Sequence, residues 1–167
     1  RARGPLLAIT GSIGGLGAIA VKAASDAEES MNAVNVTFTD SASTINNFAS
    51  QASEAVGLSA SAFRQLATET GALLNRTGQS TQEVADQTII LTQRAADLAS
   101  VFNTDVNLAM SAINQAIRGE TEAIRRFGGD VTDATLQTHL LAQGIDVSVT
   151  SLSQQEKTLL RAQLVLE

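Results

Sequence analysis

The sequence predicts an all-α protein: a string of short helices forming a helical bundle, preceded by an apolar, Gly/Ala-rich helix. Apolar residues recur at spacings of three and four, as in Met110, Ile113 and Ile117. Helix-start signals recur along the chain, among them Ser80 placed three residues before Glu83. Strand-like alternation is confined to residues 145–149. Because no partner strand is evident, an extended linker is favoured there.

The first predicted unit is residues 1–38. Within it, residues 4–21 (from Gly4 to Val21) carry no charge and include Gly11 and Gly15, whose spacing lets two helices approach closely. A helix of that length spans about 27 Å, slightly less than the hydrocarbon core of a bilayer. Two interpretations stay open, namely contact with a membrane and close packing inside a protein assembly. An Ala-rich helix follows and is predicted to end near Phe38.

The second predicted unit is residues 39–167, a series of helices separated by capping residues. The residues expected to be most buried share the three/four spacing or follow it closely. They are Leu91, Leu98, Phe102, Ile113, Ile117 and Phe127. The predicted helix starts are Asp40/Ser41, Ser59, Ser80, Thr104/Asp105, Asp130/Thr132 and Ser153, and the predicted ends are Gly57, Gly78, Gly119, Gly128/Gly129 and Gly144.

The composition limits both the core and the chemistry. The chain has 27 Ala, 15 Ser, 17 Thr, 8 Asn and 12 Gln, which is nearly half of its 167 residues, and it has no Trp or Tyr. The core should therefore be thin and built mainly from Ala and Leu between close helices. The lack of Cys excludes disulfides, a thiol nucleophile and sulfur-ligated zinc. A net charge of −6 argues against a dedicated nucleic-acid binder.

No catalytic, cofactor-binding or metal-binding residue is predicted. His139 is the single histidine and lies beside two leucines, as an ordinary helix residue would. The acids Glu120 and Glu122, and Asp130 and Asp133, could in principle serve glycoside hydrolysis. They flank turns and helix starts, where the helix dipole stabilises acids. A structural interpretation is therefore favoured, and the chain is not expected to be an enzyme.

Two further motifs also favour structural roles. The glycine-rich residues 11–17 lack the Lys-Ser/Thr of a phosphate-binding loop, and no strand precedes them. Arg125 or Arg126 is expected to pair with Glu122 at helical spacing, while Phe127 packs inward.

The order of several motifs points to a family. The motifs are Asp97-Leu98-Ala99-Ser100 followed by Phe102-Asn103-Thr104, then Ala-Ile-Arg-Gly-Glu-Thr-Glu-Ala-Ile-Arg-Arg-Phe-Gly over residues 116–128, the Gly144-Ile145 turn, and Leu152-Ser153-Gln154-Gln155-Glu156-Lys157 with Arg161. In this order the chain resembles the tape measure proteins of long-tailed bacteriophages and prophages. An Ala-rich stretch over residues 21–29 is also similar. The chain departs from the family at Ala123, where members often have Pro, and at Gly129, where they have an apolar residue.

The resemblance implies a structural role. Tape measure proteins lie along the lumen of the tail tube, and their length sets the tail length during assembly. For this chain, the resemblance implies as partners copies of itself, tail tube and tail tip proteins, tail assembly chaperones, and a host membrane through Gly4–Val21. It implies no specific nucleic acid and no cofactor. The expected locations are the virion tail lumen, the host cytoplasm during assembly and the host envelope during genome ejection.

Two other classes stay open. A bacterial secreted or surface filament subunit of the flagellin-like kind shares this composition, although the flagellin-type terminal helix signatures are not found. A tail-associated peptidoglycan hydrolase is the third class. The chain begins with Arg1 rather than Met and stops at Glu167 inside an apolar helical pattern. It is therefore expected to be a fragment of a longer protein.

Overall fold

The computed structural model describes the backbone of residues 6–166 and the side chains of residues 22–166. It confirms the all-α prediction: the chain is 79% helical, and residues 6–166 contain no strand. The helices are α1 (Leu6–Phe38), α2 (Ala42–Ala49), α3 (Ala52–Val56), α4 (Ala60–Leu74), α5 (Thr81–Val101), α6 (Val106–Arg118), α7 (Glu122–Arg125), α8 (Asp133–Ala142) and α9 (Gln154–Leu166), with 3-10 turns at Thr39–Ser41, Asn75–Thr77 and Val149–Ser151.

Helix α1 joins the predicted apolar segment and the Ala-rich helix into one helix of 33 residues, about 50 Å long. It ends at Phe38, as predicted, and packs mainly against α4. Val34 and Phe38 are fully buried, whereas residues 22–26 are exposed. The association predicted for Gly4–Val21 depends on side chains that lie outside the described residues and stays a prediction. In the described part of the chain, no helix is both long enough and apolar enough to cross a bilayer.

The main core lies between α4, α5 and α6, and residues of α1, α2, α3, α7 and α9 complete it. Leu91, Ile113 and Ile117 are fully buried and Phe127 is 8% exposed, which confirms these four predictions. Leu98 is half-buried against the same core. A small second cluster lies between α8 and α9 and consists of Leu136, Leu140, Val149 and Leu160.

The predicted burial of Phe102 is wrong, because this side chain is 46% exposed. Helix α5 ends at Val101, so Phe102 lies just beyond the helical stripe that reaches the core. The chain then reverses through Asn103, which adopts a left-handed φ of 49°. The Phe102 ring instead lies edge-on to Phe127, with 5.3 Å between the ring centroids. Leu141, near the end of α8, is apolar and also exposed.

The single helix predicted between residues 41 and 56 is broken into α2 and α3. The Ser50 hydroxyl donates to the Asn47 carbonyl at 2.6 Å, which is the acceptor that the Gln51 amide would use in a continuous helix. The Gln51 amide donates instead to Phe48, at 2.9 Å. The Ser50 hydroxyl thus occupies the Asn47 carbonyl where α2 ends, and the break involves neither a glycine nor a proline.

Most capping predictions are confirmed. Ser80 and Glu83 form a reciprocal capping box, and Ser153 and Glu156 repeat it, with Glu carboxylates 2.8 and 2.7 Å from the serine amides. The five glycines predicted to end helices, at 57, 78, 119, 128 and 144, all have positive φ. Ser41 is the N-cap residue of α2, as predicted, but its hydroxyl makes no capping hydrogen bond and lies 3.1 Å from the Thr81 hydroxyl.

Candidate functional site: the Arg161 cluster

The most distinctive polar feature of the described chain is a cluster of four residues from two helices, α8 and α9, and the turn that follows α6. We name it the Arg161 cluster, and it comprises Gly119, Asp133, Lys157 and Arg161. Arg161 lies on α9 and is only 8% exposed, which is unusual for a charged residue. Its guanidinium lies over Gly119, the residue that ends α6 with a φ of 97°.

Gly119 is required there for two reasons. Its positive φ is a conformation that other residues adopt only with strain. A Cβ at this position would also lie 3.0 Å from both Cζ and Nη1 of Arg161. The glycine thus ends α6 and makes room for the buried guanidinium.

Asp133, the first residue of α8, binds both cations of the cluster. Lys157 Nζ donates to Asp133 Oδ2 at 3.1 Å, and Arg161 Nη2 donates to Asp133 Oδ1 at 3.1 Å. The hydrogen bond from Lys157, together with the charges of Lys157 and Arg161, holds the pKa of Asp133 below its usual range. The Nε of Arg161 is buried without a hydrogen-bond partner among the described atoms. The guanidinium therefore relies on Asp133 for its charge compensation.

Each residue of this cluster stands in a motif or turn that the sequence predicts, but their meeting was not predicted. Asp133 was assigned to a helix start, Gly119 to a helix end, and Lys157 and Arg161 to a family motif. One signal was available: Lys157 and Arg161 are four residues apart on one helix, and two like charges at that spacing are unfavourable without a shared acid. The identity of that acid could not be read from the sequence, because Asp133 is 24 residues before Lys157.

The other candidate residues have separate, local partners. Arg125 pairs with Glu122 at 3.1 Å, as predicted, and Arg118 pairs with Glu120 at 3.0 Å. Asp130 accepts a hydrogen bond from the Thr132 amide at 3.1 Å, which matches its predicted place at a helix start. His139 lies on α8, and its Nε2 atom is 2.8 Å from the side-chain nitrogen Nε2 of Gln143.

The structure also bears on two kinds of ligand site, a phosphate-binding loop and a metal site. The glycine-rich residues 11–17 have helical backbone inside α1, rather than the loop that would hold a phosphate. Among the described residues, no group of three or more His, Cys, Asp or Glu side chains is arranged to hold a metal ion.

The carboxylates of the caps and of the Arg161 cluster predict that acid weakens the fold. Hydrogen bonds from Ser80 and Ser153 lower the pKa of Glu83 and of Glu156 from the ordinary value of 4.5, and the pKa of Asp133 lies below 3.8. Groups with a lower pKa in the folded state stabilise it above their unfolded pKa, and this contribution is lost as the pH falls through the folded pKa. Thermal unfolding followed by circular dichroism should therefore show a constant Tm from pH 7 to 5 and a falling Tm below about pH 4.5.

A triple variant, Glu83→Gln, Asp133→Asn and Glu156→Gln, is the control for this prediction. Its Tm should be lower at pH 7 and should change less on acidification than that of the parent chain. A parent Tm that rises between pH 5 and pH 3 would contradict the assignment of these three carboxylates.

Comparison of the chain with protein-family models, with curated proteins and with solved structures gives no significant match. The family is therefore a proposal that rests on the motifs and on where the fold places them.

Proposed function

We propose that this chain is a structural module of a phage tail tape measure protein. In this role it lies inside the tail tube, contributes to the protein that sets tail length, and leaves the tail during genome ejection. Its partners are copies of itself, tail tube and tail tip proteins, and assembly chaperones. The proposed role needs no catalytic group and no cofactor.

The observation that carries the proposal is the meeting of two family motifs in the Arg161 cluster. The first motif contains Gly119, and the second contains Lys157 and Arg161, which follow some 40 residues later in the sequence. In the fold, the Arg161 guanidinium covers Gly119. The order and spacing of the motifs thus acquire a physical explanation: the glycine of one accommodates the arginine of the other.

The character of the helices also supports the proposal. Much of the core is alanine, and the chain has a single Pro, so close helices with few rigid turns make up the described chain. A thin core of this kind can be unfolded more easily than a core of large side chains, which suits a protein that must leave a tube. The net charge of −6 also disfavours binding to the DNA that follows it.

The fold suggests that this module is not itself the ruler. If residues 42–166 formed one continuous helix, they would span about 190 Å. They form a bundle instead, and its longest helix, α5, has 21 residues and a length of about 32 Å. The length of the tail should therefore depend mainly on other parts of the parent protein, and residues 42–166 should act as a folded anchor or envelope-crossing module.

In-frame deletion and duplication of residues 42–166 in the parent gene test this proposal. Tail lengths are measured by electron microscopy, and the presence of the chain in purified tails is checked by mass spectrometry. We expect the chain to be found in tails, and each change to alter tail length by no more than about 50 Å, a limit that leaves room beyond the length of α5, the longest helix in the segment. Failure of the deletion variant to assemble would also agree with an anchoring role.

Two results would contradict parts of the proposal. A change of about 190 Å in either direction would show that the segment is extended in the tail and that the bundle is not its state there. Absence of the chain from purified tails would contradict the proposed tape measure function. Recovery of the chain from extracellular filaments would then favour the filament-subunit class.

A further inference from the structure

Helix α8 and the segment after it are built as a separate small lobe. We name residues 132–153 the α8 lobe. Its apolar residues belong to the second cluster, which has four buried members, whereas the main core has twenty-seven. The packing neighbours of α8 are chiefly α9 and the turn Val149–Ser151. Few buried apolar contacts therefore hold the α8 lobe to the rest of the chain.

Hydrogen bonds inside the α8 lobe join its helix to the segment that follows, without a contribution from α9. The Gln137 side chain donates to the Val147 carbonyl at 3.0 Å and accepts from the Val149 amide at 2.9 Å. One glutamine thus ties the extended linker to α8 through both ends of its amide. Because these hydrogen bonds join α8 to the linker, the two can leave α9 together.

Both ends of the α8 lobe are fixed to parts of the chain outside it. Before it, Val131 is 2% exposed and belongs to the main core. At its other end, Ser153, the last residue of the lobe, caps α9, whose Ala162 is also in the main core. Gly128, with a φ of 80°, lies just before Val131. Separation of the lobe from α9 therefore does not require the main core to open.

The strongest polar attachment across this boundary is Asp133. It is half-exposed, and it binds both Lys157 and the buried Arg161 on α9. Loss of this carboxylate would leave Arg161 buried without its charge partner, and the buried cation would then favour the opened arrangement, in which water reaches it. One residue thus couples the position of α8 to the burial of a charge.

We propose that the α8 lobe opens from α9 as a local unfolding unit, with the main core intact, and that Asp133 is the latch that keeps it closed. Opening uncovers Leu160 and Leu164 on α9 and exposes the Arg161 guanidinium to water. Such a unit gives the bundle a part-open state that costs less than global unfolding. This inference concerns the folded chain alone and does not depend on the proposed function.

Hydrogen exchange measured by mass spectrometry on the whole 167-residue chain at pH 7 tests it. Amides of α8 over residues 137–142 are compared with amides of α6 over residues 110–117. We expect α8 to exchange at least about tenfold faster than α6, because a helix of 10 residues is marginal in water without its neighbours and loses its amide hydrogen bonds once the lobe opens. Asp133→Asn should accelerate exchange in α8 several-fold further and leave α6 unchanged.

The matched control is Glu122→Gln, which makes the same change of charge at the exposed pair with Arg125. It should leave α8 exchange unchanged. Raising NaCl from 0.05 to 0.5 M should accelerate α8 in the parent chain, because salt screens the partly exposed pairs of Asp133, and should have less effect in Asp133→Asn.

Exchange of α8 and α6 at one common rate in the parent chain would overturn the proposal, since it would mean that both open only by global unfolding. Equal acceleration of both helices by Asp133→Asn would overturn the latch. If that variant fails to fold, the parent chain at the two salt concentrations still decides: acceleration confined to α8 supports the latch, and equal or absent acceleration contradicts it.

Discussion

Leu91→Ala is expected to lower the free energy of unfolding by about 2–5 kcal/mol, which could unfold a domain of this size. Leu91 lies in the middle of α5 and is fully buried in the main core. Truncating it removes apolar contacts and leaves a cavity between close helices. Urea unfolding followed by circular dichroism at 222 nm measures the change.

Phe102→Ala is the matched control, because Phe102 continues the apolar spacing of α5 one residue beyond the end of the helix. A buried Phe truncated to Ala usually costs more than a Leu. Here Phe102→Ala should cost less than Leu91→Ala, about 0.5–1.5 kcal/mol of unfolding free energy. The reason is that Phe102 is half-exposed and contributes mainly its edge contact with Phe127. A Phe102→Ala variant as destabilised as Leu91→Ala would show that the stripe continues into the core past the end of α5.

Gly71→Ala is expected to destabilise the protein by about 1–3 kcal/mol, although alanine is normally better than glycine inside a helix. Gly71 lies within α4 where α1 crosses it. A Cβ at this position would overlap the Cζ of Phe38 and lie 2.8 Å from its Cε1. Phe38 is fully buried, so its ring has little space to retreat.

The neighbouring position supplies the control for Gly71→Ala. Ala72 is exposed on the same helix, and Ala72→Gly should cost about 0.5–1 kcal/mol through helix propensity alone. Alanine should thus be more stable than glycine at position 72 and less stable than glycine at position 71. A second background, Phe38→Leu, should reduce the cost of Gly71→Ala, because the smaller side chain leaves room. A stabilising Gly71→Ala in the parent chain would contradict this close helix crossing.

The ends of the helices were predictable because capping is a local effect. The two capping boxes depend on a serine and a glutamate three residues apart, and both formed as the sequence predicts. The glycine ends were predictable for the same reason. The break at Ser50 was missed, because a serine donates to a nearby carbonyl in some helices and remains inside others.

Burial was predictable where neighbouring helices cover the apolar face, which includes Ile117 near the end of α6. Leu91, Ile113 and Ile117 lie where neighbouring helices cover α5 and α6 along their lengths. Phe102 and Leu141 follow the same spacing near helix ends, where no neighbour covers them. Periodicity specifies which face of a helix is apolar. How far along its length that face is covered depends on the lengths and crossing points of other helices.

The sequence by itself determined the all-α class, most helix boundaries and the motifs that resemble tape measure proteins. These features depend on residues within a few positions of one another. Only the tertiary structure decided that Arg161 is buried over Gly119, that Asp133 binds Arg161 and Lys157 together, and that α8 belongs to a separate lobe. The physical reason is that these contacts join residues 24 to 42 positions apart, and their geometry arises from helix packing rather than from local propensity.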